Sequence, residues 1–245
     1  MPPPASTPTL CIIGGCNGAG KTTLARELLP RMGLMRFLNA DEIARGLSPL
    51  DPTLTAFKAG RILLEEARHL IATRASFAIE STLSGRTYLA LLRAAKAAGY
   101  HFILHYLVIG SAAQAVERVK LRVLHGGHHV PDGDVSRRFQ RSIQHFLADY
   151  LPLADEWTVW DNDSPPSVII ADSATCSHQE LADLLNPTTL METPPAPLSP
   201  LAEMVLEASR AATSKMLDYY KRMGIRVTPQ MTLAPPPAPR RRAKK

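Results

Sequence analysis

Short apolar runs alternate with longer stretches in which apolar residues recur at helical spacing, from about residue 9 to residue 185. Thr9-Leu10-Cys11-Ile12-Ile13 is almost wholly apolar and breaks into glycine, as a strand buried on both faces does. Residues 22–29 then read as a helix stopped near Pro30. Residues 36–40 form a second strand candidate ending at Asp41-Glu42. Helical spacing returns over residues 53–73, and residues 76–79 make a third strand that runs into Glu80-Ser81-Thr82. A helix over residues 88–98 closes on Gly99, and a fourth strand spans residues 101–109. Helices are expected over residues 112–124 and 135–150, on either side of a loop at 126–133. Late strands at residues 156–160 and 168–171 and a final helix over 178–185 complete the pattern.

Strands alternating with helices imply a mostly parallel sheet covered by helices on both faces, an α/β class. In such sheets ligands sit beyond the carboxyl ends of the strands. The polar residues that attract interest (residues 17–22, Asp41, residues 80–82, Asp161 and Asn162) all follow expected strands.

Composition divides the 245-residue chain. Of 21 prolines, 14 fall in residues 2–8, 187–200 and 229–239, which predicts extended linkers there. The compact domain is therefore expected at residues 8–186. A Pro-rich linker at 187–199, a helix at 200–224 and a disordered basic tail at 225–245 are expected to follow. The formal charge of +6 is concentrated in Arg240, Arg241, Arg242, Lys244 and Lys245; without them the chain carries +1. A basic tail can hold nucleic acid, but it reads first as a solvated end. The near-neutral body argues against nucleic acid as the main partner. No run resembles a membrane span, and residues 1–8 lack the basic-then-apolar order of a secretory signal. Three scattered cysteines make neither a disulfide framework nor a zinc site, and a cytoplasmic, reducing location is expected.

Gly15-Cys16-Asn17-Gly18-Ala19-Gly20-Lys21-Thr22 matches G-x-x-x-x-G-K-[ST]. With average residue usage, a random chain of this length matches those fixed positions on the order of once in a hundred. Here the match also stands between an apolar strand and a helix, the context it requires. Glycines let successive N–H groups face inward as an anion-binding nest. The following helix points its N-terminus at the phosphates. Gly15, Asn17, Gly18, Ala19, Gly20, Lys21, Thr22 and Thr23 are thus the expected ATP-binding set, with Lys21 on the β- and γ-phosphates and the Thr22 hydroxyl on magnesium. Cys16 stands where a helix N-terminus can acidify a thiol, and equally at a variable position where any small filler serves.

The wording of this loop is shared with transporter-type ATPases, and Leu83-Ser84-Gly85 superficially resembles their signature. That signature should precede a strand ending in Asp-Glu, whereas the next strand here ends in Gly110-Ser111. A small-molecule kinase needs instead a carboxylate beside the acceptor hydroxyl, a polar loop for the acceptor and cations over the transferring group. Asp41 is the expected base, although Asp is also a favoured helix N-cap. Glu80, Thr82 and Arg86 are the expected acceptor contacts. Arg122, Arg138 and Arg141 flank Gly126-Gly127-His128-His129-Val130-Pro131, in the form of a lid that brings guanidinium groups onto phosphoryl charge. No third metal ligand stands near His128 and His129. Asn162, beside Trp160, is placed either against the adenine ring or as a strand cap.

Taken in order, Gly15–Thr23, Asn39-Ala40-Asp41-Glu42-Ile43-Ala44-Arg45, Glu80-Ser81-Thr82-Leu83-Ser84-Gly85-Arg86, Gly126-Gly127-His128 with Arg137-Arg138, and Asp161-Asn162 resemble the zeta toxin family of P-loop kinases. Its nearest branch is the one often described as predicted ABC-type ATPases. The resemblance covers roughly residues 9–172. It implies a three-layer P-loop kinase-like fold with a helical lid. It also implies ATP and magnesium as cofactors, Lys21 as phosphate lysine, Asp41 as acceptor base, and Glu80 and Thr82 at the acceptor. Arg122, Arg138 and Arg141 become the candidate charge-stabilising arginines. The small-molecule acceptor of the best-known members is UDP-N-acetylglucosamine, phosphorylated on a sugar hydroxyl, and an antitoxin protein is the implied partner. The segment that grips uridine in those members has no match here, and residues 187–245 lie largely outside the resemblance. Two other readings remain: a polynucleotide end kinase using the basic tail, and an ATPase switch docking through residues 200–223.

Overall fold

A computed structural model describes residues 7–124, 130–164 and 166–185. The expected linker, C-terminal helix and basic tail, and the glycine loop at 126–129, lie outside the described residues. The elements follow one another as β1 (Thr9–Gly15), α1 (Lys21–Arg31), β2 (Phe37–Leu38), α2 (Ala40–Leu47), α3 (Ala56–Ala72), β3 (Phe77–Ser81), α4 (Leu89–Ala97) and β4 (His101–Val108). Then come α5 (Ala112–Leu124), α6 (Asp132–His145), β5 (Glu156–Asp161), β6 (Val168–Asp172) and α7 (His178–Leu184). By compactness the chain divides into residues 1–119 with 128–195, and residues 120–127 with 196–245. Of the smaller unit only Lys120–Leu124, the last turns of α5, is described.

The six strands order β2-β3-β1-β4-β5-β6 and all neighbours are parallel except β5 and β6. The central strand β1 runs beside β3 with Leu10 opposite Phe77, and beside β4 with Thr9 opposite His101. Its apolar run is explained by alternation. Leu10 and Ile12 enter a core with Phe77, Ile79, Leu104, Tyr106 and Phe146, while Cys11 and Ile13 enter another with Leu24, Leu29, Leu107, Ala115 and Val119. A strand covered on both faces has no polar face to show. The mostly parallel sheet with helices in both outer layers is the expected fold class.

Several boundaries differ from the sequence reading. Strand β2 is only two residues long, because Asn39 leaves the strand to cap α2. Its Oδ1 accepts from the backbone N–H of Asp41 at 2.8 Å and of Glu42 at 3.2 Å. Asp41 is therefore not the cap, and its carboxylate is left for other work. Pro30 does not stop α1, which continues one residue further and closes with Met32 N–H donating to Leu28 and Leu29 carbonyls. The expected helix over 135–150 begins earlier, at Asp132 after Pro131, and its end is a π-helical turn, Phe146–Tyr150. The three cysteines are free. Among the described residues no helix is long and apolar enough to cross a membrane.

His105 on β4 is 7% exposed. Its Nδ1 accepts from Trp160 Nε1 at 3.3 Å, and its Nε2 has no partner. Burial pulls its pKa down from 6.5 to about 4, against a small opposing pull from Glu156. The folded ring stays neutral while the unfolded ring protonates, so the contribution is fully present above pH 6.5 and is lost as pH falls from 6.5 towards about 4. At about 1.4 kcal/mol per tenfold change in proton concentration, the loss is roughly 3 kcal/mol. Urea unfolding across that window should show a steeper fall for the natural chain than for His105→Gln. Equal slopes would remove His105 as the cause.

Candidate active site

The phosphate loop follows β1 because Gly15, Gly18 and Gly20 adopt φ of 144°, 78° and 88°. Gly20 shows why no side chain is allowed there. A Cβ on it would collide with the Asn162 amide, which donates from Nδ2 to the Ala19 carbonyl at 2.8 Å. Lys21 opens α1 and is 7% exposed, with its Nζ donating to the Cys16 carbonyl at 2.8 Å. No carboxylate pairs with it among the described residues. Asn17 is equally buried, and its Oδ1 has no hydrogen-bond partner. A buried cation facing a nest of N–H groups, with no acid to neutralise it, fits a bound polyphosphate. Cys16 departs from the acidified alternative: burial pushes its thiol up to about 11, and Lys21 and Arg118 only partly offset this.

Thr22 donates from Oγ1 to Glu80 Oε2 at 2.7 Å, and Asn39 Nδ2 donates to the same oxygen at 2.8 Å. Glu80 reaches this point because it stands in the last turnless residues of β3, opposite Ile13 of β1, one register step before the glycines. The expected acceptor contact thus lies directly on the expected metal hydroxyl. A hydroxyl and a carboxylate are hard oxygen donors that suit magnesium when phosphate and water complete its shell. No group of three or more His, Cys, Asp or Glu side chains able to hold a metal alone occurs among the described residues.

A cleft of about 300 Å³ opens at the carboxyl ends of β1 and β3. Lys21, Asp41, Glu80, Thr82 and Arg138 all line it, as do Asn39, Ser84 and Tyr88. Burial, and then the nearby charge of Asp41, push the Tyr88 phenol up to about 12, so it remains a hydroxyl donor. Arg138 is half-buried, and among the described residues it pairs at 4.0 Å with Asp134 on its own helix. Arg141 and Arg86 do not line this cleft. Arg141 is exposed on α6, and Arg86 is exposed with its Nε donating to Asp149 Oδ2 at 2.9 Å. Arg122 stands on the last turn of α5, in the smaller unit.

On the other side of the loop a pocket of about 700 Å³ runs along α1 from Gly20 and Thr23 to Arg31. Trp160, Asn162, Pro166 and Ser167 form its far wall. Asn162 therefore both lines a pocket and braces the phosphate loop, with its own Oδ1 held by Ser167 Oγ at 2.7 Å. Arg118 stands beside the phosphate loop and was not among the expected site residues. It packs against Gly18, where an added Cβ would stand 3.2 Å from its own Cβ, and its Nη2 donates to the Asp163 carbonyl at 2.6 Å. The signal was present: Ala115 is a buried position of α5, and Arg118 lies three residues later on the same face.

Comparison with known proteins agrees with this architecture. A protein of Haemophilus influenzae described as uncharacterized is 31% identical over 125 residues, 51% of this chain and 88% of that one. The structure reported for the PezAT chromosomal toxin-antitoxin system of Streptococcus pneumoniae superposes with a TM-score of 0.60 at 16% identity, over 87% of this chain and 88% of that chain. The AvrRxo1-ORF1:-ORF2 complex with ATP superposes with a TM-score of 0.52 at 16% identity, over 80% and 66% of the two chains. These likenesses concern the fold, and in fold the resemblance to the zeta toxin kinases holds. The model of the AAA domain matches residues 10–146, the span that contains the phosphate loop, Asp41, Glu80 and Arg138, and the chain belongs to that family.

Proposed function

We propose that this chain is a magnesium-dependent phosphotransferase that moves the γ-phosphoryl group of ATP to a hydroxyl of a small acceptor, with a nucleotide sugar such as UDP-N-acetylglucosamine as the first candidate. The observation that carries this reading is the convergence of Lys21, Asp41, Glu80 and Arg138 on one cleft beside the phosphate loop. Lys21 and the loop N–H groups hold the β- and γ-phosphates. Thr22 and Glu80 would hold magnesium, which when bound neutralises phosphate charge. Asp41 takes the proton of the acceptor hydroxyl as that oxygen bonds to the γ-phosphorus and the bond to the leaving ADP breaks. Arg138 covers the charge on the transferring group. The larger pocket beside Thr23 and Asn162 receives the nucleoside. A cytoplasmic location and an antitoxin-like partner that silences the cleft belong to the same proposal.

Incubation with γ-labelled ATP and UDP-N-acetylglucosamine, or a metabolite extract, should yield a labelled small product. Release of free phosphate alone from every mixture would overturn the reading. Expression of the chain in a host without a partner should arrest growth, and Asp41→Asn should relieve it; unaffected growth removes the antitoxin part. For the metal, Glu80→Gln should raise the magnesium concentration giving half-maximal rate by about tenfold or more, as loss of a supporting ligand does. An unchanged magnesium requirement would assign Glu80 to the acceptor alone.

A further inference from the structure

The loop that follows β3 is held from one side by α6 and the π-helical turn after it. Ser142, fully buried, donates from Oγ to the Thr82 carbonyl at 2.6 Å. Tyr150 donates its phenol to the Gly85 carbonyl at 2.6 Å, and Asp149 pairs with Arg86. Between these anchors Leu83 takes φ of 51°, a conformation disfavoured for a residue with a side chain. Its side chain is buried over Gly14, where even an added Cβ would meet Leu83 Cδ1 at 2.6 Å. The loop is thereby wedged against the end of the strand that becomes the phosphate loop. The π turn matters to the geometry. Each residue turns a helix by about 100°, so the extra residue in this turn decides which way Asp149 and Tyr150 face.

Ser142 lies one helical turn after Arg138, on the same face of α6. Its single proton must go to the Thr82 carbonyl, which can only accept. The Tyr106 hydroxyl, 2.8 Å away, is therefore the donor to Ser142 Oγ. Tyr106 is itself fixed by stacking on Phe146, with ring centroids 3.9 Å apart. The Thr82 and Ser84 hydroxyls are 2.9 Å from one another, and both residues line the cleft.

We propose that Ser142 is a positioning residue. It ties the Thr82 carbonyl to the helix that carries Arg138, so that the loop hydroxyls and the guanidinium meet the acceptor as one rigid body. The inference rests on the phosphotransferase reading for its kinetic consequence, while the tie itself is measurable without substrate.

The test compares Ser142→Ala with Tyr106→Phe in the full chain. Both remove a buried hydrogen bond in the same place, so both should lower the melting temperature similarly. Only Ser142→Ala frees the Thr82 carbonyl. It should speed amide exchange over residues 82–86 and raise KM for UDP-N-acetylglucosamine by about tenfold, with Kd for ATP unchanged. Tyr106→Phe should leave both the exchange and that KM near natural values. Equal exchange in the two variants, or exchange in Ser142→Ala as slow as in the natural chain, overturns the proposal. If the natural chain phosphorylates no sugar nucleotide, the acceptor assignment fails, and the exchange comparison still decides the tie.

Discussion

Replacing Asp41 by Asn should leave ATP bound as before and lower phosphoryl transfer at least about a hundredfold, the usual contribution of a positioned acid–base group. The position of this carboxylate comes from the helix it stands on. Asn39 caps α2 and takes the Asp41 N–H, so Asp41 is in the first turn with its side chain in the cleft. Asn has the same shape and keeps the backbone bond, but an amide takes no proton at neutral pH. The substitution therefore separates chemistry from fold. Steady-state transfer from labelled ATP, together with equilibrium binding of a non-hydrolysable analogue, makes the measurement. Transfer at the natural rate would remove Asp41 as the base. Loss of nucleotide binding would show instead that the charge supports the phosphate loop.

Lys21→Ala should reduce ATP turnover by about a hundredfold to a thousandfold, as removal of a single preorganised donor to transition-state charge does. Stability should hold or rise. Lys21 is 7% exposed, and among the described residues its ammonium donates to a carbonyl and pairs with no carboxylate, so the folded chain without nucleotide carries a buried cation without an anion. Removing that cation relieves a desolvation cost and forfeits one hydrogen bond. A melting curve of the nucleotide-free variant tests this. A large fall in melting temperature would mean that Lys21 also holds the loop shut, through the Cys16 carbonyl. Added ATP should raise the melting temperature of the natural chain and leave that of the variant unmoved, because only binding to the folded state stabilises it.

Much of this site was legible before any coordinates. The phosphate loop is a contiguous stretch, and its chemistry depends on local backbone freedom and on the helix start beside it. Asp41, Glu80 and Thr82 were legible for a different reason. Each follows an apolar strand, and in a parallel sheet the ends of neighbouring strands meet. The arginines were harder. Arg138 and Arg141 are both on α6, yet only Arg138 lines the cleft. Spacing alone puts two residues three apart on roughly one face of a helix, and the few tens of degrees between them are decided by packing. Arg86 shows the same limit, since its pairing with Asp149 depends on a π turn 63 residues further along.

The chain's own local pattern determined that a strand, a glycine loop and a helix would form a phosphate cradle, because periodicity and φ preferences act over a few residues. Packing determined what that cradle faces. Glu80 reaches Thr22 from 58 residues away and Asn39 from 41. Ser142 reaches Thr82 from 60 residues away. Such bonds form only where the register of β1 against β3 and the seating of α6 bring the groups within 3 Å. Register and seating follow from how the two apolar cores fill, and that is a property of many side chains at once rather than of any stretch of sequence.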